Sequence, residues 1–498
     1  MNIFIFNRGL RLYDNTTLIH QTKEMGAISP IFIFTPEQIG NGSNGSNGGN
    51  KYFSNNSVQF MIESLHELAK EIQSRGGKLY FFKGDNIDIL KSILRDNKIA
   101  SIGMNFDYTP YARKRANAVS KFCKDNKIVF FEKEDYLLHP ILNNETMKKD
   151  GTPYLVFTPF KKYCIKELKI PPADTFNKFI FASLKSNKHT IMSSDLSKFY
   201  KTNPNINVNG GRQNGLKILK NLKNFSTYQK SRDMLTYNTT FLSAHNHYMT
   251  LSIREEYWAV VDKLGKHSGI ISELYWREFY TNIVFRFPYV LQRQITNKPN
   301  MEFRKKYAKI KLPPFNKKWF DAWCKGTTGF PIVDAAMRQM NLTGFMHNRC
   351  RMITMSFLIK FMHIDWRKGE QYFATKLVDY DAMMNNSGVQ WTASCGTDAM
   401  PYFRFFNPWT QQKTYDPKCI YIKKYIKELQ DVDPAIIHKW DTLFEAFGKD
   451  GEKGKDGKEG LKGLAPNKEG LKGLAPYPPP ILDHSKERLI ALKIYKHI

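Results

Sequence analysis

GFMHNRCRM at 344–352, DYDAMMNNSGVQW at 379–391 and GTDAMPYFRFFNPWTQ at 396–411 form the stretch on which the reading of this chain turns. The first block carries a His-Asn-Arg-x-Arg run. The second sets two aspartates in D-x-D before an Asn-Asn pair and Trp391, and the third is rich in aromatic rings. Fixed charge of both signs, carboxamides and π-faces are what a site needs to hold a large, charged, aromatic cofactor beside an aromatic ligand. NRCRMITMSFLIKFM shows helical periodicity without alternation, so the scaffold around that site is predicted to be helical.

Outward from it, the chain after Gln213 reads as helical almost throughout. IISELYWREFYTNIVFRF and FPIVDAAMRQMNL keep the same periodicity, and Phe330-Pro331 marks a helix start with Pro in the first turn. The first third differs. NIFIF, SPIFIF, KLYFF, IASIGM and KIVFF are short β-rich runs, separated by helical patterns such as VQFMIESLHELAKEIQ. That alternation predicts an α/β N-terminal domain with a Rossmann-like parallel sheet. We expect this domain over 1–131, a Pro-, Lys- and Asn-rich linker over 132–209, and a large all-α domain over 210–498. NGSNGSNGGN at 41–50 predicts a flexible loop inside the first domain. The repeat KEGLKGLAP, at 458–466 and 468–476, belongs to a Gly/Lys/Glu stretch (449–476) that cannot bury a core and is expected to be disordered.

The chain has 498 residues, 42% hydrophobic and 14% aromatic, enough for two or more domains with substantial cores. A formal charge of +29 asks for a polyanion, an acidic membrane or a basic host proteome. Nucleic acid is the commonest answer where basic residues alternate with aromatics, as in FRKKYAKIKLPPFNKKWF at 303–320, a candidate phosphate grip. The abundance of Lys, Asn and Ile also fits an AT-rich genome. The six cysteines are scattered with no C-x-x-C pair, which argues against zinc ribbons and disulfide frameworks. MNIFIFNRG lacks the basic region and long apolar core of a signal peptide, and no window approaches the roughly 18 apolar residues of a membrane span. A soluble intracellular protein is expected, in nucleus or cytoplasm.

On a helix, Glu273, Trp276, Arg277 and Tyr280 share one face. Two charges and a Trp there suit a cavity better than a core, because buried charges require partners. Asn348, Arg351 and Met352 share a second helical stripe with Arg349 beside it, and Arg351 with Asp379 would make a bidentate salt bridge. D-x-D can also hold a metal, but no His or third carboxylate accompanies it at useful spacing, so no metal is expected. Asp14 and Asn15 fit a turn or helix cap after the first strand.

FNRGLRLYDN (6–15), VFTPF (156–160), YQKSRD (228–233), TTFLSA (239–244), SELYWREFY (272–280) and the 344–411 stretch together resemble the motifs of the DNA photolyase/cryptochrome family. The resemblance spans nearly the whole chain outside the two low-complexity insertions. It implies the photolyase/cryptochrome fold, with an antenna-type α/β domain and an all-α FAD-binding domain. It further implies an enzyme, a deoxyribodipyrimidine photo-lyase acting as a monomer on DNA that contains pyrimidine dimers, without membrane or metal. The implied FAD contacts are Tyr228, Thr239, Thr240, Leu242, Ser243, Arg277, Asn348, Arg351, Asp379, Asp381 and Asn385, the last facing the reactive ring nitrogen. Glu273, Asn348 and Asn385 would act in catalysis. Trp276 and Trp391 would wall a flipped-out lesion, with Arg232, Arg349 and Met352 completing its grip. This set resembles that of class I cyclobutane pyrimidine dimer (CPD) photolyases; enzymes for the (6-4) photoproduct carry a pair of histidines where this chain has His347 alone.

The chain departs from the family in three places. Phe241 stands where the family often has an Arg. Of the usual three electron-transfer tryptophans only Trp366 is retained, with Val389 and Pro313 at the other two positions. YTPYARKR (108–115) has Tyr111 and Ala112 where relatives with a folate antenna carry an Asn-Glu pair. That speaks against a folate of the usual type and leaves a deazaflavin, another flavin or no antenna open. Weak or rerouted photoreduction with repair preserved is expected. The competing readings are a blue-light receptor of the cryptochrome type and a basic DNA-binding protein without catalysis.

Overall fold

The computed structural model describes residues 1–39, 50–296, 298–443 and 477–496. The KEGLKGLAP repeat and nearly all of the NGSNGSNGGN loop lie outside them. The chain divides into two compact units. The first comprises Met1–Gln229, Thr240–Met301 and Ala374–Asn386; the second comprises Lys230–Thr239, Glu302–Phe373 and Ser387–Ile498.

The first unit is built on a sheet of β1 (Asn2–Phe6), β2 (Ile28–Phe34), β3 (Tyr80–Lys83), β4 (Ser101–Asn105), β5 (Val129–Lys133) and β6 (Thr190–Ile191), in the order β5-β4-β1-β2-β3-β6. The first five pair in parallel, Phe4 opposite Pro30 and Ile102 opposite Phe130, while β6 adds an antiparallel edge beside β3. NIFIF and ISPIFIF are buried at every position, as central strands covered on both faces must be. Alternation then sorts their side chains: Phe4, Phe6, Phe32 and Phe34 join one core, Ile3, Ile5, Ile31 and Ile33 the other. The crossover helices are capped at their starts by Asn15, Ser54, Asp85 and Thr109, whose side chains accept backbone N–H bonds. Asp14 turns the chain ahead of the first helix and pairs with Arg254 at 2.8 Å. The sheet reverses its direction of growth between β1 and β4, which opens a crevice at their carboxyl ends.

The described part of the second unit is helical. Its centre is the Pro331–Thr343 helix, buried along most of its length, with Pro331 in the first turn as the sequence predicts. The Lys317–Lys325, Asn348–Ser356, Pro408–Tyr415 and Ile420–Tyr425 helices pack around it. Among the described residues no helix is long and apolar enough to cross a membrane.

Candidate functional site

The predicted site residues divide between the two units. In the first, Glu273, Trp276 and Arg277 stand on the Gly269–Arg286 helix. Gly269 lets its first turn approach Tyr228 and Gln229: a Cβ there would lie 2.4 Å from Gln229 Oε1 and 3.1 Å from the Tyr228 ring. Trp276 lies face to face with Phe157. Arg277 is buried, donates to the carbonyls of Tyr136 (2.6 Å) and Asn246 (3.3 Å), and stacks on the Tyr136 ring at 3.4 Å. Its neighbour Glu278 accepts the backbone N–H groups of Leu138 and His139 at 2.9 and 3.1 Å, and burial pushes its carboxyl up to about 7.

Asp379 and Asp381 precede the Ala382–Thr392 helix, which carries Asn385. The Asp381 carboxylate is buried and receives five donors: Arg8 Nη1 at 2.9 Å, Tyr136 Oη and His247 Nδ1 each at 3.1 Å, and the N–H groups of Met383 and Met384. Burial opposes its charge, but Arg8 and these hydrogen bonds prevail and hold it well below the usual carboxylate range. Burial, seconded by Arg8, lowers the His247 imidazole, while the hydrogen bond from its Nδ1 to Asp381 pulls the other way. Upstream, Leu242 N–H donates to Thr240 Oγ1 at 3.4 Å, and the Ser243–Tyr248 helix begins with Ser243 exposed. Phe241, at φ +57°, packs against the phenylalanine-rich core.

Arg8 and His247 also line a cavity of about 190 Å³ in the crevice beyond β1 and β4, together with Asn7, Tyr52, Tyr111 and Arg115. Arg115 Nε and Asn7 Nδ2 are buried there without a hydrogen-bond partner.

In the second unit, His347 caps the Asn348–Ser356 helix by accepting Arg349 N–H at 3.1 Å, and burial lowers its ring to about 4. One turn apart on that helix, Asn348 Nδ2 lies 3.7 Å from Met352 Sδ. Arg349 pairs with Asp233 at 2.8 Å and lies over the Tyr415 ring at 4.6 Å. Arg351 Nε donates to the Met346 carbonyl at 2.8 Å. Arg232 and Thr239 belong to this unit, as does Trp391, half-buried and 6.5 Å from Phe406. Trp366 is buried. Its Nε1–H points to Glu302 at 3.4 Å and Arg367 lies over its ring, but no aromatic ring touches it among the described residues. Val389 is buried as well.

Sequence reading missed Phe157, Tyr136, Arg8 and His247. The signal for Arg8 was a charge directly after a buried strand, where α/β sheets place ligands. Phe157 lies in VFTPF, read only as a family motif, and nothing in the sequence marks Tyr136 or His247.

Each unit offers features that suit a polar, aromatic dinucleotide. Arg277 Nε in the first and Arg349 Nε in the second are buried donors without a hydrogen-bond partner, and a Cβ at Gly388 would meet no other group within 4 Å. Residues 2–177 match the DNA photolyase family, and residues 270–497 match the FAD binding domain of DNA photolyase. The deoxyribodipyrimidine photo-lyase of Alkalihalophilus pseudofirmus is 33% identical over 515 residues, covering 99% of this chain and 97% of the relative. An archaeal photolyase from Sulfolobus tokodaii, solved with two FAD molecules, matches at TM-score 0.81 and 34% identity over 100% of both chains. A class III photolyase from Agrobacterium tumefaciens matches at TM-score 0.83 and 28% identity, over 100% of this chain and 97% of the other. By these likenesses, and with FAD as its cofactor, the chain belongs to the DNA photolyase family.

Proposed function

We propose that this chain repairs DNA in light, splitting cyclobutane pyrimidine dimers as a monomer of the class I type. Kinship with deoxyribodipyrimidine photo-lyases along essentially the whole chain is the observation that carries the reading. When bound, reduced FAD supplies the excited electron, and the protein's task is to hold and orient. Tyr228, Thr239, Thr240, Leu242 and Ser243 hold its phosphates, with Arg277 and Arg351 as cationic support. Asp379, Asp381 and Asn385 border the ring, where the carboxamide of Asn385 can donate or accept. Trp276 and Trp391 wall the extruded lesion, since a base in duplex DNA must leave the stack to be acted on. Glu273, Asn348, Arg349, Arg232 and Met352 grip it, and 303–320 takes flanking phosphates.

The cavity at the β1/β4 crevice is our candidate for a second, light-harvesting chromophore. Its buried unpaired donors on Arg115 and Asn7 and its tyrosines favour an anionic, ring-bearing ligand, and the Sulfolobus relative holds two FAD molecules. The test of the main reading is an oligonucleotide with one thymine dimer, illuminated with the flavin-loaded protein. Light-dependent return of intact thymines is expected. Bound flavin without repair would favour a receptor, and no bound flavin a protein that only binds DNA.

A further inference from the structure

The Phe157–Glu167 helix lies in the segment expected to be linker, yet it is bolted to the helix that carries Glu273 and Trp276. Phe160 packs on Phe279 with ring centroids 5.6 Å apart, and Lys161 Nζ donates to Ser272 Oγ at 2.5 Å. Between these anchors the Phe157 ring covers the indole of Trp276, centroids 3.5 Å apart and planes 7° from parallel. Aromatic quadrupoles disfavour a face-to-face sandwich relative to offset or edge-on pairs. The pair is therefore held together by the helix packing around it.

We infer that Phe157 is a positioning residue for Trp276, fixing the indole plane so that an extruded base meets a wall already in place. The inference rests on the reading of Trp276 as that wall. The second torsion of a Trp side chain is soft, so an unbacked indole would have to be ordered by the incoming base. Phe157 on its face, with Tyr280 at 5.4 Å and 35°, orders it beforehand, and preorganisation of this kind strengthens binding without a new contact to the ligand.

The test titrates dimer-containing and undamaged oligonucleotides into flavin-loaded protein in the dark, then reads repair per absorbed photon at saturating dimer DNA. Phe157→Leu is expected to lower the preference for dimer DNA by about tenfold, the scale of one stacked base, with repair at saturation unchanged. Phe157→Tyr keeps a ring and should restore the preference. Phe160→Leu loosens the same helix without a ring contact to Trp276; it should lower the melting temperature and leave the preference intact.

Wild-type preference in Phe157→Leu overturns the inference, as does an equal loss in Phe160→Leu. If Phe157→Leu sheds its flavin, Phe157→Met takes its place and must lose the preference that Phe157→Tyr keeps. Undiminished preference in Trp276→Leu removes the base-wall reading, and the positioning role falls with it. Loss in Trp276→Leu without loss in Phe157→Leu removes the positioning role alone.

Discussion

Asp381 concentrates much of the site's electrostatics in one carboxylate. Its charge answers Arg8, and removing it leaves Arg8 with Asp107 as its remaining carboxylate and weakens the hold on the other buried donors that Asp381 accepts. Asp381→Asn is therefore expected to cost about 3 kcal/mol, read by denaturant unfolding, and to lose bound FAD, read by absorption. Val389 makes the opposite case, a residue whose change should add a property. Trp366 has no aromatic neighbour in contact among the described residues, and the aliphatic Val389 cannot itself relay an electron. Slow photoreduction under blue light with external reductant is expected, with Val389→Trp faster than wild type and dimer repair unaltered. An equal rate in the two proteins would show that the missing Trp is not what limits it. The resemblance named Asp381 and Val389 from local motifs. It did not find the donors of Asp381, because Arg8, Tyr136 and His247 are brought to it by the fold from three distant parts of the chain.

The Gly269–Arg286 helix carries a group that should tie stability to pH. Glu278 is completely buried, with a folded value near 7 against an ordinary 4.5. Between those values the folded state holds a proton that the unfolded state has released, so this group's contribution to stability falls as pH rises. Glu278→Gln removes that dependence. Relative to wild type, the variant should gain up to about 1.4 kcal/mol per pH unit from pH 4.5 to 7, measured by unfolding across that range. A difference that shrinks as pH rises would contradict the assignment. Element by element, the five parallel strands were legible because each is a short β-rich run between helical patterns. β6 was not. Thr190–Ile191 is two residues in a polar segment, and only its pairing with Phe81 and Phe82 makes it a strand. The 157–167 helix was hidden for a related reason: its place depends on packing against Phe279 and Ser272, not on its own periodicity.

The whole molecule is strongly basic, and a charge of +29 predicts DNA affinity governed by counterion release. With several phosphates neutralised, binding of dimer DNA should weaken by roughly a thousandfold between about 50 and 200 mM salt, as measured by equilibrium titration in the dark. A flat salt profile would mean that the charge serves something other than the phosphate backbone.

The contact between Arg8 and Asp381 also sets a schedule. These side chains are 373 positions apart. At translation rates of about 5–20 residues per second, roughly 20–75 s pass between the synthesis of one and the arrival of the other. During that interval β1 and β2 can pair while Arg8 waits beside Asp107, its other carboxylate partner. A nascent chain stalled before residue 374 would still lack one of the carboxylates its first arginine needs, so the first unit is completed only after its last segment, Ala374–Asn386, has been made.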